Sequence, residues 1–221
     1  LTGLRRTGKT TLIFKIIEDS LSDTPPSNIL YFSFDDFRDA RIKEVLNTYS
    51  QIMNKDIEHE KILLLLDEVQ KLSDWEEQVK RIYDNYQNIK IIVSGSESLF
   101  IRKKSRESLA GRFFEFHVNT LSFEEYLEFK EIKISSLMLQ KNQILQEFHS
   151  YILCSGFPEI VMEDKEFIKK YLKENIIEKI IYRDIPSIFP VKDPSIVESL
   201  FNMILLNPGA ILNLNELSKD T

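Results

Sequence analysis

Apolar residues change their period along this chain, and the change divides it in two. Residues 10–19 carry Leu12, Ile13, Ile16 and Ile17 at the i, i+3, i+4 spacing of an amphipathic helix. A turn cluster with Pro25 and Pro26 spans 23–28. Residues 29–34 read as a strand ending in Asp35 and Asp36, and 40–54 as a helix. Residues 62–66 are a continuous apolar run, as expected of a strand buried on both faces of a parallel sheet. Residues 75–86 are again helical, 89–93 another buried strand, and 113–118 a further one. Strands alternating with helices imply right-handed βαβ units and an open α/β sheet covered on both sides.

Near Ser122 the pattern turns helical. Residues 123–129, 142–153 and 166–183 show helical apolar spacing. In the last of these Phe167, Tyr171, Leu172, Ile176, Ile180 and Ile181 share one broad face. Residues 196–206, the turn 207–209 and residues 214–218 resemble the opening of a helix-turn-helix unit. The expected organisation is a core at 1–121, a helical part at 122–190 and a further domain beginning at 191–221.

Gly3-Leu4-Arg5-Arg6-Thr7-Gly8-Lys9-Thr10 matches the phosphate-binding pattern G-x-x-x-x-G-K-[ST], the Walker A loop. Its glycines let the backbone curl so that N–H groups point at one oxyanion, and the helix that follows adds its positive end. The expected nucleotide contacts are Gly3, Arg5, Arg6, Thr7, Gly8, Lys9, Thr10 and Thr11. Lys9 reaches the β- and γ-phosphates and the Thr10 hydroxyl is a Mg²⁺ ligand. Leu63-Leu64-Leu65-Leu66-Asp67-Glu68 is a Walker B pattern, an apolar strand ending in two carboxylates. Asp67 is expected in the Mg²⁺ shell and Glu68 as the base that polarises water. Alone, such a strand end is what many strands show at their first charged residue; beside the loop it reads as chemistry. Ser94 and Ser96 end the next strand, and Ser96 is the preferred γ-phosphate sensor over a plain turn. Arg112, just before the 113–118 strand, is a candidate arginine finger, or else a surface residue ending a helix.

A loop of this kind follows a buried strand, and only Leu1 and Thr2 precede Gly3. The expectation is a fragment whose natural protein begins upstream. Residues 217–221 likewise stop within a helical pattern.

Composition narrows the classes. The 221 residues are 43 % apolar and 29 % charged, an ordinary globular balance. A net charge of −6 and a pI near 5.3 argue against a bulk electrostatic grip on nucleic acid. The single cysteine, Cys154, leaves no intrachain disulfide and fits a reducing, cytoplasmic compartment. The longest apolar run is strand-sized, which argues against a membrane partner. His59, His117 and His149 share no metal-ligand spacing with Cys154. Arg102, Lys103, Lys104 and Arg106 read as a solvated stretch rather than a DNA contact. Asp35 and Asp36 read as a cap for the next helix before they read as water-orienting groups. Trp75 reads as packing for the helix after the Walker B strand, and Gln70 as a candidate contact to the nucleotide.

G-L-R-R-T-G-K-T-T, L-L-L-D-E-V-Q with Trp75 behind it, S-G-S, L-A-G-R before a strand and L-S-F-E-E-Y-L together resemble the archaeal-type AAA-like ATPases, related to the STAND signalling ATPases. Gly156-Phe157-Pro158-Glu159 is similar to the glycine-x-proline motif of that family's helical lid, and Tyr182-Arg183-Asp184-Ile185 to the stretch before its winged helix. The resemblance implies a P-loop NTPase sheet of ASCE order 5-1-4-3-2 with its first strand largely missing, a lid at 122–190 and a truncated winged helix from 191. It places Pro158 near the adenine. In this family a C-terminal nuclease-like domain often follows. The implied function is an ATP-hydrolysing switch using Mg²⁺, with an undetermined protein partner, DNA as a further partner through the winged helix, and an oligomer if Arg112 acts in trans. Two other readings stand beside it. One is a nucleotide-gated scaffold or DNA-associated adaptor with negligible hydrolysis. The other is a P-loop kinase, disfavoured by the Asp67–Glu68 pair.

Overall fold

The computed structural model describes residues 1–35, 37, 40–96, 109, 111–134 and 140–209. They fall into two compact units, Leu1–Lys165 and Glu166–Thr221.

In the first unit α1 (Lys9–Ser20), β1 (Ile29–Ser33), α2 (Ile42–Met53), β2 (Ile62–Asp67), α3 (Trp75–Asn85) and β3 (Ile89–Val93) follow one another. The strands form a parallel sheet in the order β1-β2-β3, with Tyr31 opposite Leu65 and Leu65 opposite Ile92. The sheet's two faces are covered by different helices. Ile62, Leu64 and Leu66 of β2 join Ile42 and Leu46 of α2 and Trp75, Val79 and Ile82 of α3 in one core. On the opposite face Phe14 of α1 meets Tyr31 of β1, ring centroids 5.1 Å apart. Fully burying each such leucine stabilises the fold by about 1.5–3 kcal/mol, which is why β2 is apolar on both faces. Trp75, 5 % exposed, packs as the sequence suggests.

Residues 113–118 do not form the expected strand. Thr2 bridges His117 in parallel, with Thr2 N–H on the Phe116 carbonyl (2.9 Å) and Val118 N–H on the Thr2 carbonyl (2.7 Å). On its other side the same short segment meets β3: the Leu1 nitrogen donates to the Val93 carbonyl (2.7 Å) and Gly95 N–H to the Leu1 carbonyl (3.1 Å). Among the described residues this stretch is joined to the sheet through the single Thr2–His117 bridge rather than through a ladder. Phe114 is 90 % exposed.

Asp35 and Asp36 were expected to cap the next helix. That helix starts at Ile42, where Glu44 receives the Arg41 N–H (3.3 Å). Asp35 instead pairs with Lys71, and Asp36 lies outside the described residues. So do Arg102, Lys103, Lys104 and Arg106.

α4 (Phe123–Phe129) begins at a capping box: Ser122 N–H donates to Glu125 (2.7 Å) and Glu125 N–H to the Ser122 hydroxyl (3.2 Å). α5 (Lys141–Cys154) packs on it. There Glu147 accepts from Lys130 (2.7 Å) and from the Tyr126 phenol (3.1 Å). Gly156, with φ +69°, follows α5, and its carbonyl receives the Leu121 N–H at 2.8 Å.

The second unit corrects another expectation. Residues 166–183 are not one regular α-helix. α6 (Lys165–Tyr171) passes into π-helical turns at Leu172–Ile177 and Ile180–Asp184 before α7 (Ile185–Ile188) and α8 (Pro194–Leu206). The buried residues Tyr171, Ile176 and Ile181 are five apart. A 3.6-residue turn carries such positions round the helix, whereas i→i+5 bonding brings them to one side. The proposed helix-turn-helix continuation at 214–218 lies outside the described residues.

Candidate functional site

A parallel sheet ends all its strands on one edge, and loops there collect chemistry. At this edge β2 delivers Asp67, β3 leads into Ser94, and the loop 3–8 runs into α1. The loop's conformation is set by its sequence. Gly8 caps α1 at φ +91°, a left-handed value that a side chain would strain. At Gly3 a Cβ atom would collide with the Val118 carbonyl oxygen. Between them Arg6 also adopts φ +66°. The Thr7 hydroxyl donates to the Leu4 carbonyl (3.0 Å). The Lys9 ammonium, in a residue only 6 % exposed, donates to the carbonyls of Gly3 (3.1 Å) and Leu4 (2.6 Å). The lysine is thus held inside the curve of the loop.

Asp67 is 2 % exposed, and a carboxylate so buried requires donors. It accepts from the Thr10 hydroxyl (2.7 Å), the Tyr31 phenol (3.3 Å), the Glu68 N–H (3.0 Å) and the Ser94 hydroxyl. The first of these joins the loop and its helix to the end of β2, bringing together two residues 57 apart in the chain. Burial first, and then the charge of Asp67, raise the Tyr31 phenol above its ordinary pKa, so it remains a donor. A pair of oxygens, from Thr10 at the helix start and Asp67 at the strand end, fits a small hard cation such as Mg²⁺. That ion takes one or two protein oxygens and fills the remaining positions with water and phosphate.

Glu68 follows with φ +55°. Its carboxylate receives the Gln70 amide N–H at 2.6 Å. Ser96 is 7 % exposed, just beyond Ser94. It is Ser94, however, that bonds the strand-end acid. Arg112 is not gathered to the loop; its guanidinium donates to Asp84 in the last turn of α3 (3.3 Å). Pro158 opens a 3₁₀ turn, Pro158–Ile160, and the next residue, Glu159, pairs with Arg6 of the loop (3.2 Å). Arg5 lies within the loop and Thr11 in the first turn of α1.

Sequence spacing marked the loop and the acid pair. It did not mark Tyr31 as a partner of Asp67, nor Glu159 as a partner of Arg6. Tyr31 stands opposite Leu65, two residues before Asp67, so only the strand register brings the phenol within reach.

A glycine-bounded loop opening a helix, bonded to a buried acid at the end of a parallel strand, defines an α/β protein of the phosphate-loop kind. A family model for the AAA domain matches residues 1–127, more than half of the chain, and the chain belongs to that family. Membership makes nucleotide binding its coarse function. A second model, for a domain of unknown function, matches residues 145–221. Among curated proteins, two uncharacterized proteins of Methanocaldococcus jannaschii are 30 % and 33 % identical over 99 % and 100 % of this chain, covering 49 % and 52 % of their own lengths. An uncharacterized protein of Haemophilus influenzae is 29 % identical over 99 % of the chain and 53 % of its own length. The chain therefore spans about half the length of the curated relatives it matches. Among the described residues no helix is long and apolar enough to cross a membrane.

Proposed function

We propose that this chain is the ATP-hydrolysing part of a molecular switch. The Thr10–Asp67 hydrogen bond carries the reading, because it joins a phosphate loop to a strand-end acid at 2.7 Å. The backbone of loop 3–8 and the Lys9 ammonium bind the β- and γ-phosphates. Thr10 and Asp67 hold the Mg²⁺ shell, and the ion, when bound, supplies positive charge to the phosphate oxygens. Glu68 takes a proton from water as that water attacks the γ-phosphorus; the bond to the β-phosphate oxygen breaks, leaving ADP and phosphate. Ser94, already on Asp67, and Ser96 beyond it are the polar groups that sense the γ-phosphate. The contacts of Leu1 and Thr2, with β3 on one side and residues 116–118 on the other, support a sheet of the 5-1-4-3-2 kind. The helical part 122–190 acts as the lid, with Pro158 in its turn 156–159 on the base. The region from Glu166 onward, with a winged helix from 191, carries the output in the cytoplasm to a protein or DNA partner. Arg112, which pairs with Asp84, is the candidate arginine finger, acting on the nucleotide of its own copy or of a neighbour.

Steady-state phosphate release from Mg-ATP tests this on the full-length protein. Wild type turns over, and Lys9→Ala loses about 10²-fold or more, the scale of removing one donor from a transition-state oxygen. Equal rates in the two proteins would remove the loop from the mechanism.

A further inference from the structure

Glu68 is a flexible side chain asked to do precise work. A glutamate has three side-chain torsions, and a base misplaced by about 1 Å loses as much as ~10²-fold in rate. Its backbone is well held. Its N–H is on Asp67 (3.0 Å), its carbonyl receives the Lys71 N–H (3.1 Å), and the next residue's N–H is on the Ser94 carbonyl (3.1 Å). That pinning accounts for the left-handed φ of +55°, an outlier of the sort that accompanies function. None of these bonds fixes the carboxylate.

Gln70 does. Its amide donates to Glu68 Oε2 at 2.6 Å. The backbone beneath it is anchored on both sides: Val69 is fully buried in the core, Lys71 pairs with Asp35, and Leu72 is 5 % exposed. The amide head is enclosed too, since Gln70 Oε1 is buried and has no hydrogen-bond partner among the described residues. A buried acceptor left unmatched disfavours the fold. A side chain serving only to pack this turn would be apolar. Glutamine here is costly for stability and useful for holding Glu68.

We propose that Gln70 is the positioning residue for Glu68, fixing Oε2 so that Oε1 is the oxygen that takes the proton from water. This rests on the ATPase reading above. It assigns Gln70 a partner different from the nucleotide contact suggested by sequence.

The test measures kcat, the dissociation constant for a fluorescent non-hydrolysable ATP analogue and the thermal midpoint in the full-length protein. The proteins are wild type, Gln70→Leu, Gln70→Glu and Glu68→Gln, with Gln70→Leu also made in the Glu68→Gln background. In Gln70→Leu we expect kcat to fall about 10- to 100-fold, nucleotide affinity to stay within about twofold and the midpoint not to fall. Gln70→Glu, of the same length without the donor, falls at least as far in kcat. On the Glu68→Gln background Gln70→Leu has no further effect, because it acts through Glu68. Unchanged kcat in both single variants overturns the inference, as does a loss of nucleotide affinity matching the loss of rate, or an equal fall in both backgrounds. Should wild type bind the analogue yet release no phosphate from Mg-ATP, the ATPase reading fails, and the role of Gln70 with it. Turnover by wild type with no effect of Gln70 removes the inference alone.

Discussion

Asp67 and His59 show what single side chains decide. Asp67 is buried and satisfied by four donors, and three of these are side chains from three separate stretches of chain. Its place at the end of a buried strand was legible from an apolar run ending in two acids, and the loop from Gly3 to Thr10 from its spacing. Tyr31 and Gln70 were not assigned their partners, because a phenol or an amide has many uses and only register and turn geometry select one. His59 offers a pH test away from the site. It is exposed and hydrogen-bonded to Asp56 at 2.8 Å. That bond raises the imidazole above 6.5 and helps hold the Asp56 carboxyl below 3.8. The raised histidine contributes stability below pH 6.5 that is lost as pH rises through its folded pKa. The lowered aspartate contributes above pH 3.8 and loses that as pH falls through its own. The pair therefore acts between about pH 4 and 6.5. An NMR titration should place His59 above 6.5 in wild type and return it toward 6.5 in Asp56→Asn, with a lowered thermal midpoint in that variant at pH 5 and none at pH 8.5. A His59 titration indifferent to Asp56 would show that the contact does not persist in solution.

Among elements, the βαβ succession was legible because burial on both faces leaves continuous apolar runs such as residues 62–66. Residues 113–118 misled, since an apolar run records a preference for pairing, and among the described residues only the Thr2–His117 bridge forms there. The π turns were missed for a different reason. The five-residue spacing of Tyr171, Ile176 and Ile181 was in the sequence, but intervening apolar residues also satisfied a 3.6-residue period. The turn after α5 is held against Leu121 by glycine. At Gly156 φ is +69°, and a Cβ would collide with the Leu121 carbonyl oxygen, whose own N–H is bonded to Gly156. Gly156→Ala should therefore destabilise the protein by about 2 kcal/mol or more in urea unfolding, more than a conformational penalty alone. An unchanged midpoint would mean that the turn can rotate away without loss, and that Pro158 and Glu159 are not fixed relative to loop 3–10.

At the level of the whole molecule the sequence gives a nucleotide-binding core and leaves its output open. The AAA family match covers residues 1–127, and the later part matches a family without a described function. The relatives that share this chain's length with about half of their own are themselves uncharacterized. What the proposed switch would move is a matter of surfaces and partners, which periodicity does not report; the acid pair Asp67–Glu68 and the loop joined to it by Thr10 bear only on the proposed chemistry. That chemistry is most directly tested by a single-turnover experiment with radiolabelled Mg-ATP on wild type and Glu68→Gln. The account predicts that wild type converts bound ATP to ADP, whereas Glu68→Gln binds ATP with similar affinity and retains it unhydrolysed, slowed by about 10²- to 10⁴-fold. Equal conversion by the two proteins would contradict Glu68 as the base, and wild type holding ATP without conversion would contradict hydrolysis itself.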